Sequence, residues 1–316
     1  MNLGKTLVTG GAGFIGSHIA EALVAEGVEV RILDNFSSGK RENLKGFGSA
    51  IEVVEGDICD PAALAGAMQG VKHVFHEAAL VSVTVSVEHP MDNDSINIRG
   101  TLNVLQAARE AGVKRVVLAT SAAVYGNNPE LPKRETMLPE PESPYALGKL
   151  AGEYYMKLYS HLYGVETVSL RYFNVFGPRQ DGKSMYSGVI SRFAADIRQG
   201  RAPTIFGDGG QTRDFVFVKD VVHANLLAMK TDSVGKGEIF NVATGRQITL
   251  LKLWEILKGI SGSDLKPGFK EARLGDIRHS VADISRIRKD LGYEPKFSME
   301  EGLSALMDGL GKERTR

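Results

Sequence analysis

Short apolar runs alternate with helical repeats through the first half of the chain. Lys5-Thr6-Leu7-Val8 is compact and partly β-branched, which suits a strand, and Ile15, Ile19, Leu23 and Val24 then recur at helical spacing. Val28 to Leu33 reads as a second strand, Ile51 to Glu55 as a third and Val71 to Ala79 as a fourth. Leu102, Val104, Leu105 and Ala108 mark a helix that Gly112 stops. Val116-Val117-Leu118-Ala119 is apolar throughout, as a strand buried on both faces should be. This succession predicts an α/β fold, a Rossmann-type doubly wound parallel sheet covered on both faces.

The pattern loosens past the middle. Asn127 to Pro144 holds five prolines and is too long for a mere connector, so it is expected to line or cover a site. A helix follows from Tyr145 to about Gly164, then a strand from Thr167 to Tyr172. Beyond it glycines and prolines multiply, and shorter strands (Phe215 to Val218, Ile239 to Val242) interrupt helices such as Leu250 to Lys258. The shift divides the chain into a nucleotide-binding domain over 1–173 and a smaller C-terminal α/β domain over 174–316. Short segments of the second half are expected to return to the first sheet, and the tail from Gly311 to fray.

Composition narrows the function classes. With 316 residues there is room for one large or two ordinary domains. Lys+Arg and Asp+Glu both total 38, so no net field draws the chain to nucleic acid or a membrane surface. No apolar run reaches the roughly eighteen residues of a spanning helix. The start, taken up by the first strand and turn, lacks the basic-then-apolar signature of a signal peptide. Cys59 is the single cysteine, which excludes an internal disulfide framework, and the seven histidines form no H-x-x-x-H pair, so no metal is expected. These features predict a cytoplasmic protein.

Candidate chemistry begins between the first strand and helix, at Thr9-Gly10-Gly11-Ala12-Gly13-Phe14-Ile15-Gly16. Gly11, Gly13 and Gly16 match G-x-G-x-x-G, with Gly10 in front. Lacking Cβ atoms, these glycines permit a tight turn and let a pyrophosphate approach the backbone at the positive end of the helix. The second strand ends on Asp34, close to the spacing of about twenty residues expected for an acid that binds an adenosine ribose. Its charge would repel a 2′-phosphate, so NAD is expected rather than NADP. Ligands of open α/β sheets sit beyond the carboxyl ends of the strands, so Asp34, Asp57, Ala78 and Ser121 should line one crevice.

Tyr145-Ala146-Leu147-Gly148-Lys149 sets a phenol and an ammonium four residues apart, on one face of a helix turn. A free tyrosine, with a pKa of about 10, is a poor base at neutral pH. Bringing it near 7 requires roughly 4 kcal/mol of preference for the phenolate. A nearby ammonium and a positive nicotinamide ring supply that kind of preference. Ser121, at a strand end, is placed to hydrogen-bond the same substrate hydroxyl. The bland alternatives are a glycine turn of another α/β protein and an exposed helix face.

With these residues in view, nearly the whole chain resembles the extended short-chain dehydrogenase/reductase family, within its nucleotide-sugar epimerase and dehydratase group. The resemblance implies Ser121, Tyr145 and Lys149 as the catalytic triad. It implies cofactor contacts at Gly10, Gly13, Phe14, Ile15 and Gly16, at Asp34 and Asn35, at Asp57 and Ile58, and at Ala78 and Ala79. Asn97, ahead of Gly100-Thr101-Leu102, resembles a structural asparagine near the cofactor. Relatives that eliminate water carry an Asp-Glu pair after the serine or threonine, and decarboxylases keep a Glu. Here Ala122 and Ala123 follow Ser121, which leaves no acid and base for dehydration at that point. The activity implied is UDP-sugar 4-epimerisation with tightly bound NAD. Hydride leaves C4, the keto-sugar turns over, and hydride returns to its other face.

The second half carries the substrate side of the resemblance. Asn174 falls where the family's asparagine meets the nucleotide diphosphate, and Phe206 at the uracil-side contact. Arg213 resembles the pyrophosphate clamp, since a guanidinium fork matches phosphate oxygens, and Arg273 and Asp276 the phosphate and ribose contacts. Ser280 falls at a pocket gate, where a small residue implies room for N-acetylated sugars and a tyrosine would exclude them. Family precedent is a homodimer through helices near 95–111 and 145–163. A different NAD-dependent nucleotide-sugar epimerase, a net oxidoreductase and a non-catalytic NAD-binding sensor stay open as alternatives.

Overall fold

The computed structural model describes residues 3–181, 188–272 and 278–312. Six strands form in the first half: β1 (Thr6–Thr9), β2 (Val30–Asp34), β3 (Ile51–Glu55), β4 (His73–His76), β5 (Arg115–Ser121) and β6 (Glu166–Tyr172). With the strand Lys236–Val242 they make a seven-stranded parallel sheet, in the order Lys236–Val242, β6, β5, β4, β1, β2, β3. The strand order reverses between β4 and β1, and such a switch point opens a crevice at the carboxyl edge of the sheet. The fourth strand is shorter than its apolar run suggests, because Glu77, Ala78 and Ala79 leave the ladder and turn across that edge.

Helices cover both faces, and the strand side chains divide accordingly. Val8, Ile32, Val117 and Leu170 pack toward the helices Phe14–Ala25 and Val218–Lys230. Leu7, Leu33, Val116 and Leu118 pack toward Pro61–Ala67, Thr101–Glu110 and Pro144–Tyr163. Burying each such side chain contributes roughly 1.5–3 kcal/mol. A π-helical stretch, Asp94–Gly100, precedes Thr101–Glu110. Gly100 carries no side chain because a Cβ there would lie 2.7 Å from Ile58 Cδ1.

The second half does return to the sheet. Arg115, 1% exposed, donates to the carbonyls of Ala228, Met229, Thr231 and Val234 and pairs with Glu166, fixing the chain that leads into Lys236–Val242. The remaining strands are short two-stranded pairs: Asn174–Phe176 with Phe215–Phe217, Thr212–Arg213 with Ile248–Thr249, and Thr204–Phe206 with Gly268–Lys270. Their core gathers Phe176, Phe193, Phe217 and Trp254. The proline-rich stretch 127–143 is tied down as a strap. Lys133 N–H donates to Val281 O, Asp283 N–H to Lys133 O, and Asn241 Nδ2 to Lys133 O.

Candidate active site

The glycine turn shapes the floor of the crevice. Gly10 adopts φ +67°, and a Cβ there would meet the Ala78 backbone nitrogen at 2.7 Å; one on Gly16 would meet Gly10 O at 2.3 Å. The turn and the 77–78 backbone therefore touch, which a side chain on Gly10 would prevent. The helix Phe14–Ala25 starts at Gly13 with no side-chain cap, leaving its positive end for an anion from the crevice. Asp34 is buried, its Oδ2 accepting from Ala12 N–H at 2.9 Å and its Oδ1 from Phe36 N–H at 2.8 Å. A carboxylate keeps further acceptor positions for a ribose after those two bonds.

Past β3, Asp57 accepts from Cys59 N–H at 2.7 Å and from Asn35 Nδ2 at 2.7 Å. Burial alone would raise its pKa, but these hydrogen bonds outweigh burial and hold the carboxyl below its usual range. Ile58 is buried behind it. Asn97, also buried, donates to Leu80 O and accepts from Leu80 N–H, both at 2.9 Å. It thereby clamps the chain just after Ala78 and Ala79. The glycine turn, Asp34, Asp57 and Ala78 thus follow or end β1, β2, β3 and β4 at the carboxyl edge of the sheet, and this cradle fits a dinucleotide.

The catalytic candidates meet next to it. Ser121 closes β5, and Tyr145 and Lys149 sit in the first turns of Pro144–Tyr163, whose cap Ser143 accepts from Ala146 N–H at 3.2 Å. Tyr145 N–H donates to Ser86 Oγ at 3.1 Å, fixing where the helix begins. Burial pushes the Tyr145 phenol above its ordinary range, and a hydrogen bond with Ser121 draws it partly back. Lys149 Nζ donates to Ala119 O at 2.9 Å and lies 6.0 Å from the centre of the Tyr145 ring. Burial pushes the Lys149 ammonium down to about 8, against the opposing pull of the Glu77 and Glu153 carboxylates. Ala122 and Ala123 open the turn that follows, so no carboxylate stands there.

A cavity of about 400 Å³ begins where β6 ends. Tyr172, the register partner of Ser121, is two residues before Asn174 in its wall. Phe206 and Arg213 line it too, together with Gln180, Arg192 and Gln211, which sequence reasoning missed. Arg192 lies on the amphipathic helix Val189–Arg198, where its spacing does not separate it from a solvated face. Behind Arg213, the fully buried Asp214 accepts from Thr244 N–H and Oγ1, Gly245 N–H and Ala282 N–H. Ser280 is half-buried, its N–H donated to Thr212 O at 3.2 Å, one residue from Arg213 but outside the cavity wall. Arg273 and Asp276 lie outside the described residues.

Residues 6–243 match the model of a family described as "Epimerase: NAD dependent epimerase/dehydratase family". The chain belongs to this family. A UDP-glucose 4-epimerase of Mycolicibacterium smegmatis is 41% identical over 309 residues, covering 96% of this chain and 97% of that protein. Among solved structures, the UDP-N-acetylglucosamine 4-epimerase of Methanobrevibacter ruminantium, in complex with UDP-N-acetylmuramic acid, is 40% identical with a TM-score of 0.94. It covers 99% of this chain and 100% of its own. The Thermus thermophilus UDP-glucose 4-epimerase, solved with NAD, is 39% identical with a TM-score of 0.87, covering 97% of this chain and 99% of its own. Membership accounts for the dinucleotide cradle at the switch point, and NAD is the cofactor the family name carries. Among the described residues no helix is long and apolar enough to cross a membrane, and no group of His, Cys, Asp and Glu could hold a metal ion.

Proposed function

We propose that this protein is a UDP-hexose 4-epimerase, interconverting UDP-glucose and UDP-galactose through a transient 4-keto sugar. One observation carries the reading. Ser121, Tyr145 and Lys149 converge at the crevice, Ala122 and Ala123 stand where an eliminating enzyme needs carboxylates, and the adjoining cavity offers Phe206 and Arg213 to a nucleotide diphosphate. Tyr145 Oη takes the proton of the C4 hydroxyl, with Ser121 holding that hydroxyl in line. Lys149 stabilises the phenolate that precedes this transfer. NAD, which the glycine turn, Asp34 and Asp57 would hold, would supply the reversible hydride acceptor for C4. Tyr145 then returns the proton to the inverted alcohol, so the cycle leaves no net oxidation. Arg213 holds the diphosphate while the sugar turns, and division of the chain near residue 173 separates the cofactor side from this substrate side.

The finer assignments follow from the same site. Ser280 sits beside Thr212 and Arg213 with a small side chain, which leaves volume for an N-acetyl group, so N-acetylated UDP-hexoses are substrates as well. The protein works as a homodimer. Leu147, Tyr154, Leu158 and Leu162 are exposed along Pro144–Tyr163, with Val87 and Met91 exposed on neighbouring elements, and a second copy would cover that apolar stripe. The cytoplasmic placement rests on the balanced charge and the lone Cys59.

Incubating the purified protein with UDP-galactose and no added cofactor tests the activity. UDP-glucose forms without build-up of reduced cofactor. A net oxidoreductase would instead stall after one turnover with reduced cofactor, and a sensor would bind the sugar nucleotide and return it unchanged.

A further inference from the structure

Glu77 takes no part in the mechanism above, yet its carboxyl lies on the floor of the site. Parallel pairing of β4 with β5 ends at His76 opposite Leu118; Glu77 is the next residue on one chain, and Ala119, whose carbonyl holds the Lys149 ammonium, the next on the other. On the other side of β5, Tyr172 at the end of β6 donates its hydroxyl to Glu77 Oε1 at 2.9 Å. Asn225, from the helix Val218–Lys230, donates to that hydroxyl at 2.7 Å and to Val221 O at 2.9 Å. Tyr172, itself held by Asn225, thus fixes one carboxyl at the strand ends where the Lys149 ammonium is held. A half-buried acid shielded from most water needs a partner or a proton, and this one is given a neutral donor in Tyr172.

We propose that Glu77 is a positioning residue whose carboxylate, held by Tyr172, keeps Lys149 protonated and so keeps the phenolate of Tyr145 attainable. The inference rests on the assignment of Tyr145 and Lys149 in the reading above. Burial opposes the charge on both groups, pushing Glu77 up to about 7 and Lys149 down to about 8, so each helps the other stay ionised. The other groups facing this pair are accounted for. His76 is fully buried and held neutral, down to about 3, first by burial and then by the Lys149 charge. Glu153 also pulls on Lys149, but it is committed to a bidentate pair with Arg171 at 2.9 and 2.7 Å and to Thr120 Oγ1 at 2.8 Å. Tyr172 is held neutral well above its ordinary range by burial and by Glu77 itself. Glu77 is therefore the counter-charge to Lys149 that lacks a cation of its own.

The sign of the effect follows. Without the carboxylate, Lys149 loses its proton at lower pH, and Tyr145 loses its support at that same pH. Two readouts test this on the protein with its copurified cofactor. One is the pH dependence of kcat for UDP-galactose. The other is the tyrosinate absorbance of each protein minus that of its Tyr145→Phe counterpart, which needs no turnover. In Glu77→Gln the alkaline limb of kcat should move to lower pH by about one unit, the lower end of what one adjacent charge does. The Tyr145 tyrosinate should need higher pH to appear. Glu77→Asp should restore both toward wild type, and Tyr172→Phe, which keeps the carboxylate, should move them less. A uniform loss of rate with the limb and the tyrosinate titration unmoved would overturn the proposal, as would equal behaviour of Glu77→Gln and Glu77→Asp. If Glu77→Gln fails to fold, Tyr172→Phe carries the test: removing the donor that holds the carboxylate should still move the alkaline limb to lower pH, and a limb unmoved there would overturn the proposal. Absence of any Tyr145 tyrosinate signal in the wild type would instead count against the assignment of Tyr145.

Discussion

The cofactor edge and the nucleotide pocket are built by opposite means. At the cofactor edge, β1 through β5 supply short consecutive turns, and Gly10, Asp34, Asp57, Ala78 and Ser121 lie at the end of a strand or within two positions of it. Gly10, Gly16 and Ala78 press backbone on backbone just beyond the ends of one continuous ladder, and Asp34 grips the same turn through Ala12 N–H. The nucleotide pocket is assembled from two- and three-residue strands drawn from positions 174 to 270, held by buried single residues such as Asp214. A long ladder spreads the cost of a lost contact over many hydrogen bonds. A site pinned by one carboxylate concentrates it. Outside the glycine positions, where a Cβ would strike backbone, the cofactor side should therefore tolerate substitution, and the sugar side should retune through single residues.

The largest effect should separate chemistry from binding. Tyr145→Phe removes the base and keeps the ring, so turnover should fall by about 10²–10⁴ while UDP affinity and cofactor content hold. A rate above half of wild type would take Tyr145 out of the mechanism. Next comes Arg213→Ala on the pocket side. Losing a charged hydrogen-bond donor costs about 1.5–3 kcal/mol, so UDP should bind roughly ten- to a hundredfold more weakly, with NAD content unchanged. Calorimetry with UDP alone reads this directly, and equal affinity would remove Arg213 from the diphosphate contact.

A third change probes the gate. Overpacking costs about 1–3 kcal/mol, so Ser280→Tyr should lower kcat/KM for UDP-N-acetylglucosamine by about tenfold or more and spare UDP-glucose. Equal losses on both sugars, or no wild-type activity with the N-acetylated one, would defeat that role. The smallest effect is expected at the ladder end. Asp34→Asn keeps an acceptor for Ala12 N–H and loses the charge, so extracted cofactor should shift by about threefold to tenfold from NAD toward NADP. Mostly NADP in the wild-type extract would overturn the role given to Asp34.

The same contrast decides what could be read from the sequence. The strands up to β6, the glycine turn and Asp34 announce themselves because apolar period and turn residues act over a few neighbours. The Tyr145–Lys149 pair is equally local, one turn of one helix. The π-helical stretch at Asp94–Gly100 left no trace in the apolar spacing, although Asn97 within it was marked by resemblance. Arg192 and Asp214 carry no local signal, since an amphipathic helix and a turn aspartate look alike with or without a pocket behind them. The Glu77–Tyr172–Asn225 chain is the extreme case. It joins residues 95 and 53 positions apart across a strand that contributes none of its side chains, so sheet order had to be known first.

The central claim is that hydride leaves C4 and returns to C4 within one closed site. UDP-galactose carrying deuterium at C4 tests it most directly, with the UDP-glucose product analysed by mass spectrometry and NMR. The account predicts that the deuterium is retained at C4 of the product over many turnovers, with none exchanged into solvent. Product carrying solvent hydrogen at C4, or label lost to water as epimerisation proceeds, would contradict it.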